Sequence, residues 1–489
     1  MPSDKIEFTD KIFDNVHGFI PYTKAEGELM NLLPFKRLQS IKQLSLVNWV
    51  FPGSEHTRFV HSIGVMHIAD KIAIQLKLPD DERKILRLAG LLHDIGHYPL
   101  SHVCEFPYRK RMEQFPSTDY CRQVNLHVAN IISEFSIKPE LEFMPTAVQG
   151  HHEEIGSLVI KHNDSIRRII SGECGEQAIE TICDIITGNV ERAKTRSSLL
   201  VQILHSELDA DGIDYMLRDA VFSGTSFGSF EVDQLIRCME SKEYDGKLIL
   251  CITPKGIAAA DQYLINKFFS YSQVLFNKHT IILEWMAEQI VSWMQENATY
   301  FPRKDTLRND WIIKSGDTKE FLNFNDNYFW SSIKSILENP AHEIFPPYIL
   351  SLCQKLLHHQ ELTFVDGSEV KLISNSGSEI KQALESSELF SANGDFDDRI
   401  TTIAQREITK HIPLKDFKSL LKMPEETDIK LSPEEFDDLK MHFGTMRLID
   451  GICVHDGGDL HLLCDDPRSL MRQLCRTRLV VMRSYNFSC

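Results

Sequence analysis

The first 225 residues of the chain alternate apolar runs of helical period with short polar breaks. Apolar residues that recur every three to four positions predict amphipathic helices rather than strands. One run begins near Arg58 and stops at Pro79, where three acidic residues suit the positive end of the next helix. The runs predict helices over 58–76, 79–96, 121–135, 155–171, 176–187 and 197–220, then a hairpin over 244–251 and a long helix over 254–295.

The helical pattern weakens beyond Pro302, where short helical segments alternate with strand-like ones. The predicted segments are two helices near 329–338 and 346–358, two strands near 361–373 and 459–464, and an exposed loop over 374–400. We therefore predict a mainly α chain. Its larger part is a helical bundle over 1–300, and a smaller C-terminal α+β lobe covers 301–489.

Composition is that of an ordinary soluble globular protein, with 42% hydrophobic and 25% charged residues. The net charge of −17 argues against wide, sequence-independent binding of nucleic acid, but a local positive pocket for a small anion stays open. The 11 cysteines form no CxxC pair and predict reduced thiols. Without an 18-residue apolar run or a leader pattern, we expect no membrane partner and a cytoplasmic location.

Candidate metal ligands are densest just after the second predicted helix. His93 and Asp94 follow its apolar stripe, and His97 and His102 lie within the next eight residues. A buried charge must be paired or coordinated. On its own, the pair His93–Asp94 is better explained as a hydrogen-bonded core histidine and a turn residue, but the two further histidines favour a metal site.

Two more candidates lie far away in the sequence. His61 shares a helical face with Val65 and Ile68, where a lone histidine is more often structural. Around residue 211 an amphipathic face runs through Leu204, Leu208, Asp211, Tyr215 and Asp219, and its last three positions are polar where leucines are expected. An inward carboxylate there needs a cation, either a metal ion or a salt bridge from Arg218. Asp209 and Asp214 point elsewhere on this helix and could simply be solvated.

Together these positions supply two imidazoles and two carboxylates, from His61, His93, Asp94 and Asp211. This nitrogen and oxygen set suits Mn, Fe, Ni, Zn or Mg and lacks the thiolates of a structural zinc site. On a six-coordinate ion, four protein ligands leave two positions for water and a phosphate oxygen. Such an arrangement predicts metal-assisted phosphoryl chemistry.

The same residues lie in four motifs that resemble, in order, those of the HD-domain superfamily. The resemblance is closest to deoxynucleoside triphosphate triphosphohydrolases, which include bacterial dGTPases and an animal enzyme that joins a SAM domain to its HD domain. It extends over about 17–280, and we expect no SAM domain ahead of it. The four motifs lie at 35–44, 51–62, 93–102 and 208–219.

The resemblance implies roles residue by residue. His61, His93, Asp94 and Asp211 correspond to the metal ligands, and His97 and His102 to histidines that face the phosphates. His102 with Glu105 resembles the catalytic His–acid pair, and His152 with Glu153 a second pocket His–Glu pair. The substrate-binding positions it implies are Gln43 and Leu44 beside the deoxyribose, Arg58 at a phosphate, Tyr215 and Asp219 at the sugar, and Lys267 on a helix that closes the pocket.

Three positions depart from the family pattern. Gly212 stands where the family usually has Lys or Arg, and Lys267 stands where Arg is usual, which gives up bidentate geometry. Leu275 stands where a tyrosine usually helps define the sugar edge. None of these is a metal ligand, so the departures concern the identity of the substrate.

The function implied is hydrolysis of a deoxynucleoside triphosphate to deoxynucleoside and tripolyphosphate. His102, supported by Glu105, would protonate the leaving 5′ oxygen. The alternatives are a phosphohydrolase acting on a nucleoside monophosphate, a cyclic nucleotide, an oligonucleotide or a single-stranded DNA end, and a nucleotide-binding sensor. The resemblance also implies a homo-oligomer, with an allosteric nucleotide bound between subunits in some members.

Overall fold

The computed structural model describes residues 5–109, 151–188, 197–339, 345–360, 363–374, 399–407, 448–449, 451–473 and 477–486. The chain is mainly α, as predicted. The helices that build the N-terminal half are α1 (Lys24–Asn31), α2 (Leu33–Lys36), α3 (Arg58–Gln75), α4 (Asp80–Leu92), α5 (His102–Arg109), α6 (His152–His162), α7 (Asp164–Cys174), α8 (Gln177–Ile186), α9 (Ser197–Leu204) and α10 (Ala210–Ser223). Those that follow are α11 (Val232–Arg237), α12 (Ile257–Ser270), α13 (Lys278–Glu296), α14 (Lys319–Leu322), α15 (Asp326–Glu338) and α16 (Pro347–Leu357).

Side-chain caps interrupt three of the predicted helices. Asn163 accepts a hydrogen bond from the backbone N–H of Ile166 and divides 155–171 into α6 and α7. Asp209 caps α10 in the same way and divides 197–220 into α9 and α10. The predicted helix over 254–295 is wrong as one element, because a π-helical turn over Tyr271–Leu275 and the cap Asn277 separate α12 from α13. An N-cap oxygen satisfies a backbone N–H that has no partner within its own helix.

The strands form three small sheets. The strands are β1 (Phe8–Asp14), β2 (Gly18–Thr23), β3 (Met239–Tyr244), β4 (Lys247–Ile252), β5 (Thr363–Ser374), β6 (Arg399–Glu407), β7 (Cys453–Asp456), β8 (Asp459–Leu462) and β9 (Thr477–Asn486). The predicted hairpin is confirmed as β3–β4, turning at Asp245 and Gly246. β4 also pairs in parallel with β7, which pairs with β8, and the third sheet has the order β5-β9-β6.

One hydrophobic cluster runs through the described parts of the chain on both sides of residue 300. It includes Leu91 and Ile213 beside the candidate site, and Phe324 and Phe329 from the C-terminal part, all at most 1% exposed. The parallel pair β4–β7 also joins the two parts. The boundary at 300 stays a prediction, and the C-terminal segments pack directly onto the layer that carries the site.

Two predicted segments fall outside the described residues. They are the helix over 121–135 and, apart from its two ends, the loop over 374–400. Within the part of the chain that is described, every helix is too short or too polar to cross a membrane.

Candidate metal centre and acid–base pocket

Three helices bring the four predicted metal ligands together. His61 lies in the first turn of α3, His93 and Asp94 directly follow α4, and Asp211 is in the first turn of α10. The approach of α4 to α3 depends on Gly90, where an added Cβ would lie 3.1 Å from Cα of Met66.

Donor atoms of these four residues lie close to one another. Nε2 of His61 lies 2.9 Å from Oδ1 of Asp211 and 4.0 Å from Oδ2 of Asp94. Nε2 of His93 lies 3.4 Å from Oδ1 of Asp94 and 3.8 Å from Oδ1 of Asp211. Ligands about 2.1 Å from one ion are separated by about 3.0 Å when they are at right angles and by about 4.2 Å when they are opposite. Donor atoms of His61, His93 and Asp94 all lie within 4.8 Å of one another and could hold a cation, and Asp211 adjoins this group through its contact with His61.

The tautomers also fit a metal. The carbonyl oxygen of Gly90 lies 2.8 Å from Nδ1 of His93 and accepts its proton, so the lone pair of that ring is on Nε2. Among the described residues, this buried Nε2 has no hydrogen-bond partner. A buried polar atom without a partner is rare and needs an explanation, and a cation in front of it provides one.

Asp214 orients His61, the other candidate histidine ligand. The interpretation of Asp214 as a solvated acid was wrong. Its carboxylate is fully buried; Oδ2 accepts from Nδ1 of His61 at 2.7 Å, and Oδ1 lies 2.6 Å from Nε2 of His17. Arg218, considered above as a partner for Asp211, instead donates to Asp214 and Asp14. Asp214 thus presents Nε2 of His61 to the site, a common arrangement around metal-binding histidines. The four-residue spacing to Arg218 was the available sequence signal.

Asp209 is half-buried and acts as a helix cap, not as a freely solvated acid. Its Oδ1 accepts from the backbone N–H of Gly212 at 2.6 Å, and its Oδ2 accepts from that of Ser206 at 3.1 Å. As the cap residue, Asp209 directly precedes Ala210, the first residue of α10, and this places Asp211 in the first turn.

Ionisation favours cation binding. Burial alone would lower the pKa of His61, but hydrogen bonds to Asp211 and Asp214 outweigh it and raise that pKa to about 10. Burial would raise the pKa of Asp94, yet Arg58, His93 and His61 hold it well below its usual range. With the carboxylates ionised at neutral pH, a divalent cation would replace the proton on His61 and supply the positive charge.

A second cluster of imidazoles surrounds one buried carboxylate next to this centre. Oε2 of Glu105 lies 2.6 Å from Nδ1 of His102, and Oε1 lies 3.0 Å from Nδ1 of His152. Nε2 of His152 lies 3.8 Å from Oδ1 of Asp94, so the two clusters adjoin. His102 is 63% exposed, whereas Glu105 is fully buried, so the acid is shielded and only the imidazole is accessible.

His97 and His152 stack face to face, with ring centroids 4.1 Å apart. A glycine contact makes this possible, because a Cβ on Gly96 would lie 2.1 Å from the backbone N of Gly156. The backbone N–H of Tyr98 donates to Nδ1 of His97, which places the proton of the neutral ring on Nε2. Burial and nearby cations keep the pKa of His97 well below its ordinary value. His97 is therefore a neutral imidazole, and with His102, Glu105 and His152 it forms a second group whose donor atoms could hold a cation.

The pKa values of the His152–Glu153 pair predict how stability depends on pH. Burial opposes the charge of His152, but Glu153 and Glu105 raise its pKa to about 9. A histidine whose pKa is higher in the folded state contributes its full stabilisation below pH 6.5. This contribution is lost as the pH rises through about 9. We expect the melting temperature of the metal-free protein to fall between these values and to fall less steeply for His152→Gln. Scanning calorimetry across pH 6–9 measures both slopes; equal slopes would contradict the assignment.

Arg58 supports the metal ligand and lies away from bulk solvent. Its Nη1 donates to Oδ2 of Asp94 at 2.7 Å, and its Nε donates to Oγ of Ser101 at 2.7 Å. Its predicted role at a phosphate stays a prediction. The observed contacts show that this guanidinium fixes the orientation of Asp94.

The predicted sugar-side residues lie on two sides of the pocket. Gln43 is buried and Leu44 half-buried in the segment before α3, while Tyr215 and Asp219 follow on α10. Asp219 accepts from Nε2 of His56 at 2.8 Å, a fully buried partner that the sequence reasoning missed. In the described structure Oε1 of Gln43 and Nδ1 of His56 have no hydrogen-bond partner.

The three departures from the family pattern lie together around α12. Lys267 is buried and donates to Oε1 of Glu207 at 2.8 Å. At Gly212, an added Cβ would lie 2.4 Å from the hydroxyl oxygen of Tyr263 and 2.8 Å from Oδ1 of Asp209. Leu275 ends the π-helical turn and is half-buried. The side chain of Tyr263 therefore fills the space beside Gly212, where the resemblance led us to expect a Lys or Arg.

This contact makes a stability prediction. Gly212→Ala should lower the free energy of unfolding by about 1–3 kcal/mol, because the fully buried Tyr263 cannot move aside. In a Tyr263→Phe background the same change should cost clearly less, since the hydroxyl is gone and alanine favours the helix by about 1 kcal/mol, while the close contact with Oδ1 of Asp209 remains. Urea unfolding of the four proteins measures the coupling. An equal loss in both backgrounds would show that Tyr263 is not the obstacle.

The comparisons with known proteins match this site. The family model for the HD domain matches residues 58–210, from the start of α3 to one residue before Asp211. The chain is 28% identical over 323 residues to an uncharacterised protein of Methanocaldococcus jannaschii, an alignment that covers 66% of this chain and 57% of that protein. It is 27% identical over 256 residues to the human deoxynucleoside triphosphate triphosphohydrolase SAMHD1, which covers 50% of this chain and 38% of the human protein.

The fold has a solved counterpart. The crystal structure of a hypothetical protein from Aquifex aeolicus superposes with a TM-score of 0.64 at 21% identity, covering 97% of this chain and 96% of that one. The chain therefore carries an HD domain within a mainly α fold. More particularly, it is a distant homologue of deoxynucleoside triphosphate triphosphohydrolases and spans little more than half the length of the archaeal relative.

Proposed function

We propose that the protein is a divalent-metal phosphohydrolase that converts deoxynucleoside triphosphates to deoxynucleoside and tripolyphosphate. The observation that carries this proposal is the adjacency of two different donor sets. One set, His61, His93 and Asp94 with Asp211 beside them, brings together nitrogen and oxygen atoms that could hold a cation. The other presents an imidazole, His102, backed by a buried carboxylate. Distant homology to the human enzyme supports the choice of substrate.

The four ligands would hold the cation, which would polarise a phosphoryl oxygen and increase the acidity of water. In the reaction, the oxygen of a water adds to the α phosphorus and the bond to the 5′ oxygen breaks. Nδ1 of His102 is held by Glu105, so Nε2 of the protonated ring is the atom that would deliver a proton to the departing oxygen. Burial lowers the pKa of His102, and Glu105 opposes this shift. The deoxynucleoside then leaves as an alcohol and not as an alkoxide.

The neighbouring residues would bind and orient the phosphates. The protonated Nε2 of His97, which has no partner among the described residues, is placed to donate to a phosphate oxygen. His152 carries positive charge, since its pKa is raised to about 9, and so offsets the charge of the substrate. Fixed donors of this kind act without reorganisation during the reaction.

A second substrate class, with a single phosphate or a phosphodiester, is favoured by one observation. The cation on the pocket-closing helix, Lys267, is already paired with Glu207, and Tyr263 fills the space beside Gly212. Both features reduce the positive charge offered to a polyphosphate tail. Nucleoside monophosphates and single-stranded DNA ends are the members of this class to test.

Product analysis separates the two classes. The purified protein with Mn²⁺ would be incubated with each deoxynucleoside triphosphate, ribonucleoside triphosphate, deoxynucleoside monophosphate and a single-stranded DNA. The products would then be resolved by ion-exchange chromatography, with EDTA-treated protein as the control. We expect equimolar deoxynucleoside and tripolyphosphate. Orthophosphate from monophosphates, or nucleotides released from DNA, would instead support the second class, substrates with a single phosphate or a phosphodiester.

A further inference from the structure

The loop that joins the two pocket histidines His97 and His102 has an unusual backbone. Leu100 and Ser101 have φ angles of +49° and +53°, so two consecutive residues with a Cβ adopt the left-handed region. That region is disfavoured for such residues and persists only where the surroundings hold it. The contacts of this loop therefore decide whether both histidines face the pocket.

A carboxylate from the C-terminal part holds the loop. Oδ1 of Asp326 accepts from the backbone N–H of Leu100 at 2.7 Å, and Oδ2 accepts from that of Lys42 at 3.0 Å. Asp326 is 7% exposed, and burial raises its pKa to about 6. At pH 8 it is therefore ionised and can accept both hydrogen bonds.

These bonds continue to the metal centre. The hydroxyl of Ser101 donates to the carbonyl oxygen of Lys42 at 2.6 Å and accepts from Nε of Arg58, whose Nη1 donates to Asp94. Asp326 is the outer end of this series and Asp94 its inner end. Of the two residues whose backbone N–H groups bind Asp326, Leu100 precedes Ser101 in the chain, and Lys42 accepts from the Ser101 hydroxyl through its carbonyl oxygen.

Arg37 makes a parallel connection. Its guanidinium donates to the carbonyl oxygens of Ile95 and His97, each at 2.8 Å, and to that of Phe324, two residues before Asp326. The segment 324–326 is thus connected to the start of the loop through Arg37 and to its middle at Leu100. Neither Arg37 nor Asp326 lies within the span 58–210 that the HD-domain model matches.

We propose that Asp326 is a positioning residue for catalysis, which holds the left-handed turn at Leu100–Ser101 and so places His97, His102 and Arg58. The kinetic consequence rests on the proposed function, whereas the structural consequence does not. Asp326 acts through the loop and touches no reacting atom. Its loss should affect the turnover step more than metal binding.

The test compares Asp326→Asn with Asn325→Ala. An asparagine keeps the size of Asp326, but its amide nitrogen cannot accept the second backbone N–H. Asn325 caps the same helix by accepting from the N–H of Asn327, so its loss weakens the start of α15 without touching the loop. At pH 8 with saturating Mn²⁺ we expect Asp326→Asn to lower kcat by roughly 10- to 100-fold, with KM and bound metal unchanged. Asn325→Ala should match the wild type in kcat.

Hydrogen–deuterium exchange of peptides that cover Leu100 and Ser101 is the second measurement. We expect faster exchange in Asp326→Asn and wild-type exchange in Asn325→Ala. Equal kcat and equal exchange in the two variants would overturn the proposal. If no nucleotide is hydrolysed by the wild type, the exchange result still decides the role of Asp326 separately. If Asp326→Asn does not fold, Asp326→Glu replaces it: a lower kcat with faster loop exchange supports the proposal, and wild-type values in both contradict it.

Discussion

Replacing His93 with glutamine should lower kcat/KM by on the order of 10³-fold, the effect of losing several kcal/mol of transition-state stabilisation. The metal-free protein should unfold near the wild-type temperature, because Nε2 of His93 makes no hydrogen bond within the described residues. What should disappear is the rise in melting temperature that Mn²⁺ produces, since a ligand stabilises only the state that binds it. Kinetics and thermal unfolding with and without Mn²⁺ measure both effects.

His162 provides a matched control for this variant. It lies in the last turn of α6, on the same helix as His152 but at the opposite end. His162→Gln should retain both the activity and the stabilisation by Mn²⁺. A His93→Gln protein that still gains the full Mn²⁺-dependent stabilisation would show that the cation binds elsewhere.

Replacing His102 with alanine should lower kcat by about 10²- to 10⁴-fold while metal binding stays intact, as expected for the loss of a general acid. The effect should depend on the leaving group. A nitrophenyl ester of the nucleotide releases a stable anion and needs no proton, so the defect of His102→Ala should shrink on that substrate. Steady-state kinetics on the two substrates give the ratio that tests the role of His102.

Glu105→Gln should reproduce this pattern with a smaller loss, because the imidazole remains but its orienting carboxylate is gone. It should also perturb His152, which shares the same carboxylate. Equal defects of His102→Ala on both leaving groups would assign this residue to binding and not to proton transfer.

The spacing of apolar residues predicted many of the helices, and the errors in these predictions have local causes. The helices that became α3, α4 and α8, and the β3–β4 hairpin, were predicted within a few residues. The predicted helices that divide do so at Asn163, Asp209 and the π-helical turn before Asn277, where polar side chains replace the backbone partner. Such caps are short signals inside a continuous apolar pattern, so periodicity alone passes over them.

The four candidate metal ligands could be proposed from sequence because each lies on an apolar helical face or directly after one, where a polar group needs a partner. Their convergence could not be derived in that way. Asp211 and His61 are separated by 150 residues, and only the motif order of the resemblance linked them. In the structure their donor atoms lie 2.9 Å apart.

The supporting residues were the harder part to predict. Asp214 has the same spacing as a solvated acid on a helix, and its role depends on the approach of His17 and Arg218 to it. Asp326 lies 226 residues from the loop that it holds, in a region with weak periodicity. Contacts of this kind depend on tertiary packing, which leaves no local pattern in the chain.

Anomalous X-ray diffraction from a crystal grown with Mn²⁺ tests directly whether the four candidate ligands share one cation. We expect one strong peak about 2.0–2.2 Å from Nε2 of His61, Nε2 of His93 and one carboxylate oxygen each of Asp94 and Asp211. A peak among His97, His102 and His152 instead, or no bound manganese at saturating concentration, would contradict it.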